Sequence, residues 1–190
     1  MKENVRRTKE RNNVITKKNT KVMVTSSVLM ALGLVLHIIM PSAGIKPDFL
    51  LACMFIAITI SENKRQVLGI TIASGILTAM TTNFPAGQLP SMIDKFLSGF
   101  LFLALFNFIK AHNKENIIYV GIISAISTFV SGICFLTSVY ILGRIVGIAD
   151  VLSIFSNGIY AMVTLIVLPT SIANGFFAGL LYKVSRLKRR

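Results

Sequence analysis

The sequence predicts an all-α integral membrane protein, a six-transmembrane-helix bundle with both termini cytoplasmic. Hydrophobic residues make up 54% of the 190 and charged residues only 14%, with a mean hydropathy of +0.73, far too apolar for a soluble domain of this size. Six apolar regions follow one another, separated by short polar links. When the chain is threaded through a bilayer region by region, the basic residues collect on one side.

The leader, residues 1–21, is polar and basic without apolar periodicity, and is expected to be disordered. The first span runs from about Val22 to Met40 and stops at Pro41. After the SAGIKPD link comes a second run, Phe49 to Ile60, closed by SENKRQ. The third spans about Val67 to Thr82 and the fourth Met92 to Ile109, followed by KAHNKEN. A fifth extends from Ile117 to about Leu142, and a sixth from Val151 to Tyr182 with an expected interruption at Pro169. The membrane domain is thus 22–183, with a basic tail at 184–190. The first apolar run and its basic leader are both too long for a signal peptide, so no cleavage is expected.

Charge fixes the expected orientation. With the N-terminus inside, seventeen lysines and arginines fall on cytoplasmic segments and only Lys46, Lys95 and Arg144 fall outside, the asymmetry that sets topology in membrane proteins. The net charge of +13 is therefore a flanking pattern drawn to anionic lipid, not a nucleic-acid surface. Each outer base has an acid near it in sequence: Asp48, Asp94 and Asp150 respectively. The second run has only twelve residues, roughly 18 Å of helix against a hydrocarbon core of about 30 Å. Either the bilayer thins there or the Lys46-Pro47-Asp48 segment lies below the surface, shielded by protein. Charges at such depth must be paired and mark function by default.

The link Thr81 to Lys95, TTNFPAGQLPSMIDK, concentrates polar chemistry between two apolar runs. Asn83 and Gln88 offer amides, Phe84 a ring, and Asp94 and Lys95 an adjacent acid and base. Ser91 after Pro90, with Asp94 three residues on, reads as the N-cap and capping box of the fourth helix. Such a set suits a small polar-aromatic ligand. His37, at the outer end of the first span, is a further candidate to bond a ligand or close over it. Asn157 and Tyr160, at the outer end of the sixth region, rank below these.

Other chemistry is missing from the sequence. It has no GxxxxGK[ST] loop, no HExxH or comparable metal set and no GxSxG elbow, so neither an enzyme nor a cofactor is expected. Cys53 and Cys134 stand singly in apolar runs and read as packing residues. Small residues recur four apart at Ser27 and Ala31, Gly75 and Ala79, and Gly175 and Gly179, a spacing that lets helices approach closely in lipid.

His37, Lys46-Pro47-Asp48 and above all Thr81-Thr82-Asn83-Phe84-Pro85 with Gly87-Gln88, Pro90 and Ile93-Asp94-Lys95 resemble the tryptophan-transport proteins. Those are substrate-binding, or S, components of energy-coupling-factor (ECF) transporters, bacterial importers of the plasma membrane. The match in motifs covers about Val22 to Lys110. The resemblance implies capture of tryptophan or a related aromatic amino acid at the outer face. Delivery would follow with a separate transmembrane coupling subunit and two ATPase subunits. It also implies a coupling contact on the first helix, where the wider class often has AxxxA and this chain has Ser27 and Ala31.

A tryptophan-like zwitterion needs a cation, an anion, a ring slot and an acceptor for the indole N–H. Lys46, Lys95 or Arg144 would hold the carboxylate, and Asp94, with Asp48 second, the ammonium. Phe84 would stack on the ring, with Thr82 beside it and Asn83 or Gln88 accepting from the nitrogen. The alternative is a stand-alone secondary carrier or channel for a small aromatic or heterocyclic solute.

Overall fold

A computed structural model describes residues 2–39, 48–61, 63–155 and 158–187, all of it helix and connecting turns. The helices are α1 (Lys2–Ile39), α2 (Phe49–Ile60), α3 (Lys64–Thr81), α4 (Gln88–Ala111), α5 (Ile117–Val146), α6 (Ala149–Ile154), α7 (Ile159–Met162) and α8 (Leu168–Leu187). A π-helical turn, Val163–Val167, joins α7 to α8 without a break. Among the described residues, four stretches are long and apolar enough to cross a membrane: 15–39 of α1, α4, α5, and 159–186 through α7 and α8. The shorter α2 is apolar throughout.

The core forms around α2, the run whose twelve-residue bounds are legible in the sequence to the residue. Leu50 to Ile58 are at most 1% exposed, enclosed by α1, α3, α4, α5 and α8. Phe55 stacks on Phe102 of α4 at 4.5 Å between ring centroids. Asp48 caps α2 by accepting from the Leu51 N–H at 3.0 Å, and Asn174 of α8 donates to its backbone carbonyl at 3.1 Å.

Two of the small-residue pairs pack helices together. A Cβ on Gly175 would meet the Gly121 carbonyl of α5 at 2.7 Å, and one on Gly75 would meet the Met92 backbone of α4 at 3.1 Å. The third pair, Ser27 and Ala31, faces outward on α1.

Three sequence expectations need correction. First, Ser91 is not the N-cap of α4. The cap is Gly87, Pro90 sits in the first turn, and Ser91 donates its backbone N–H to the Gly87 carbonyl at 2.9 Å. A first-turn proline loses no intrahelical bond, so the helix begins before it. Asp94 consequently lies in the second turn rather than the first. Second, the sixth region does not break at Pro169. The chain breaks instead between α6 and α7, and Pro169 follows the π turn, where the Leu168 N–H bonds the Val163 carbonyl five residues back. Widening the helix there accommodates a residue that cannot donate and whose ring crowds the carbonyl of Leu165. Third, the leader is helical from Lys2. Lysine, arginine and glutamate are good helix formers, and the membrane span supplies the nucleus.

Candidate functional site

A cavity of about 340 Å³ opens among α2, α4, α5, the α3–α4 link and the π turn, within the size range of small-molecule sites. Its polar floor is a buried charge cluster. Lys95 of α4 reaches Asp48 Oδ2 at 2.8 Å and Asp94 Oδ2 at 3.0 Å. Lys95 and Asp94 are each 3% exposed. Ser131 of α5 donates to the same Asp94 oxygen at 2.6 Å, and His37 Nδ1 stands 3.8 Å from Asp48 Oδ1. Pairing is what makes charges at this depth affordable. Asp94 Oδ2 thus serves two donors, while Asp94 Oδ1 is buried without a partner.

The apolar wall comes from Leu51, Phe84, Gly132, Phe135, Leu136, Met162, Ile166 and Val167. Phe84 is set by a tight turn: the Gly87 N–H bonds the Phe84 carbonyl at 2.9 Å, with Pro85 second and Ala86 third at φ +56°. Proline there presets the bend and the third residue must turn left-handed, which directs the Phe84 ring edge-on to Phe135, 5.6 Å between centroids. Gly132 lets the π turn close in, since a Cβ there would lie 2.5 Å from Val167. π turns recur at functional sites because they re-aim side chains within a helix, and here Ile166 and Val167 are aimed at the cavity.

Of the residues singled out in the sequence, His37, Asp48, Thr82, Asn83, Phe84, Asp94 and Lys95 line this one cavity. Gln88 is exposed at the start of α4 and does not. Arg144 is exposed and lies over the Tyr140 ring at 5.9 Å, without an ion pair to Asp150 among the described residues. Tyr160 is 89% exposed, away from the cavity. Lys46 and Asn157 lie outside the described residues.

Against known proteins, residues 19–190 match the family model described as Tryptophan transporter TrpP. The chain belongs to the tryptophan transporter TrpP family. It is similar to a probable tryptophan transport protein of Bacillus subtilis (strain 168), 36% identical over 167 residues that cover 87% of this chain and 90% of that one. Another of the same description, from Clostridium perfringens (strain 13 / Type A), is 35% identical over 179 residues, covering 87% and 91%. A third, from Clostridium acetobutylicum, is 32% identical over 167 residues, covering 86% and 91%. No solved structure matches. As a TrpP-family transporter with several membrane-crossing helices, the protein is a multi-pass protein of the bacterial membrane.

For this family member, the structure adds cavity residues that the sequence reading passes over: Thr78, Ser91, Thr128, Ser131, Phe135, Met162 and Thr170. One signal points to some of them. Thr128, Ser131 and Phe135 fall at i, i+3 and i+7 in an apolar helix, one face of α5. The others owe their place to tertiary packing alone.

Proposed function

We propose that the protein captures tryptophan or a related aromatic amino acid at the outer face of the membrane. It passes the ligand on as the S component of an ECF-type importer, with a coupling subunit and two ATPase subunits. The observation that carries the reading is Asp94 Oδ1, an unpartnered buried acceptor facing a cavity walled by Phe84 and Phe135. Lys95, donating two bonds to acids, keeps a third donor for a carboxylate. The Asp48, Asp94 and Lys95 charges sum to −1, so a zwitterion of no net charge adds no repulsion. Asn83 is the acceptor for the ring nitrogen. Of the three candidate bases, Lys46 lies outside the described residues and Arg144 is away from the cavity, whereas Lys95 lines it, which supports Lys95 as the carboxylate partner. The relatives' printed descriptions name tryptophan transport and support the same ligand.

In this reading α1, α2, α3, α4, α5 and the α7–α8 unit are the six bundle helices, both termini are cytoplasmic and the cavity opens outward, as the charge asymmetry requires. Ser27 and Ala31, exposed on α1 among Val24, Val28 and Val35, form a smooth face for the coupling subunit. With no nucleotide loop in the chain, a partner must bias the loaded protein toward release inward, through contacts that differ between the two states.

Titration calorimetry of the purified protein against tryptophan, tyrosine, phenylalanine and water-soluble vitamins tests the ligand. Uptake in cells with and without the ATPase subunits tests the partnership. Binding to no aromatic amino acid would sink the first, and undiminished uptake without ATPases the second. A specific observation favours the stand-alone carrier as a second reading: the linked His37, Asp48, Lys95 and Asp94 groups are ionisable and adjoining, with Lys95 and Asp94 buried, as in proton-coupled sites. Uptake into liposomes holding this chain alone, driven by a pH gradient, would select it.

A further inference from the structure

Serine and threonine hydroxyls inside apolar helices usually settle their proton on the carbonyl one turn back. Thr78, Thr81, Ser124 and Ser171 do so here, at 2.6 to 2.9 Å. Thr128 of α5 and Thr170 of α8 do not. Each has a buried Oγ1 with no partner among the described residues, and each lines the cavity. Together with Asp94 Oδ1 they make three unmet polar atoms from three helices around one space. Ser26, Ser74 and Ser127 also carry unmet hydroxyls, but none of them lines the cavity. Buried polar atoms need a hydrogen-bond partner, and at a cavity wall whatever fills the cavity, ligand or water, is placed to supply it.

The chemistry of the three is not interchangeable. Asp94 Oδ1 only accepts, so it calls for a donor such as an ammonium. The two hydroxyls can donate, as can the remaining proton of Lys95, and together they suit an acceptor-only group. Thr128 lies three residues before Ser131 on α5, about 4.5 Å further from the Phe135 end of the helix by its rise. Phe84 and Phe135 meet at that other end, beside the α3–α4 link that carries Asn83.

We infer that Thr128 and Thr170, with Lys95, hold the ligand's carboxylate while Asp94 Oδ1 takes its ammonium, so that the amino acid enters head first and its aromatic side chain stays between Phe84, Phe135 and Asn83. This rests on the reading of the cavity as an aromatic amino-acid site and adds the orientation and two residues to it. Selectivity then lies chiefly in the amino-acid head, and the ring is read at the mouth by shape and by the Asn83 acceptor. Compounds that lack the carboxylate (tryptamine) or the ammonium (indole-3-propionate) forfeit floor contacts that a ring-substituted tryptophan keeps.

Calorimetry on the whole protein tests this with Thr128→Val and Thr170→Val. Hydrogen bonds to charged groups are worth enough that each valine variant should bind tryptophan roughly tenfold or more weaker. Tryptamine binding should stay within about twofold of wild type, and Thr→Ser at either position should restore tryptophan binding. The unliganded valine variants should melt no lower than wild type, because an unmet hydroxyl has been removed. Valine variants that keep wild-type affinity for tryptophan, or that lose tryptophan and tryptamine alike, overturn the assignment. Wild-type selectivity decides independently of any variant's folding. Head-first entry requires 5-methyltryptophan to outbind both tryptamine and indole-3-propionate, and the reverse order refutes it. Wild-type protein that binds no aromatic amino acid at all would instead refute the function of the cavity.

Discussion

Replacing Lys95 by methionine removes a cation that bridges two carboxylates. Lys95 lies 2.8 Å from Asp48 and 3.0 Å from Asp94 and is 3% exposed. Its loss takes the Asp48, Asp94 and Lys95 cluster from a charge of −1 to −2. Breaking a buried pair by deleting one member costs about 3–5 kcal/mol, chiefly the stranded charge. For a chain of this size that corresponds to roughly 6–20 °C in melting temperature. The assay is a thermal melt of the detergent-solubilised protein. Because the cost is stranded charge, adding Asp48→Asn to Lys95→Met should recover much of the loss, although Asp48 also caps α2, where asparagine serves nearly as well. A Lys95→Met protein that melts within a degree or so of wild type, or a double variant no better than the single, would refute the view that this cluster is an ionic joint of the fold.

Asp94→Asn should weaken tryptophan binding well over tenfold by calorimetry, since the amide places no full charge opposite an ammonium; near-wild-type affinity removes Asp94 from the site. Phe84→Ala forfeits an aromatic contact of about 0.5–1.5 kcal/mol with the ligand ring and should lower affinity by roughly two- to tenfold in the same titration. Arg144→Ala should leave affinity within about twofold of wild type in the same titration, because exposed charges remote from a site contribute little; a large loss would bring Arg144 back as the carboxylate partner.

Much of this site is legible in the sequence, and for a physical reason. Charges are so rare in apolar chain that Asp48, Asp94 and Lys95 stand out, and the Pro-Gly punctuation of the α3–α4 link draws attention to Asn83 and Phe84. The bounds of α2 are equally clear, because polar residues stop the apolar run abruptly on both sides. Hydroxyls are harder. A serine or threonine in an apolar helix reads the same whether it bonds its own backbone, as Ser124 does, or waits open like Thr128. Only packing separates the two. The start of α4 misleads because Pro90 signals a turn as readily as a first helical turn, and the π turn escapes because Pro169 announces a disturbance without saying on which side the helix absorbs it. Gln88 and Tyr160 show the limit of proximity in sequence: Gln88 is three residues from Ser91 and Tyr160 two from Met162, both in the cavity lining, yet the helix carries each side chain to the exposed surface.

The enclosure of α2 bears on how the protein is assembled. A segment of twelve residues is too short to be left in lipid by itself, and its Asp48 end finds its counter-charge on α4, a helix synthesised later. During biosynthesis α2 is therefore expected to stay at the insertion machinery or beside α1, whose His37 also faces Asp48, until α4 arrives with Lys95. A substitution in that short helix should then reduce the amount of protein that reaches the membrane before it alters anything the mature transporter does.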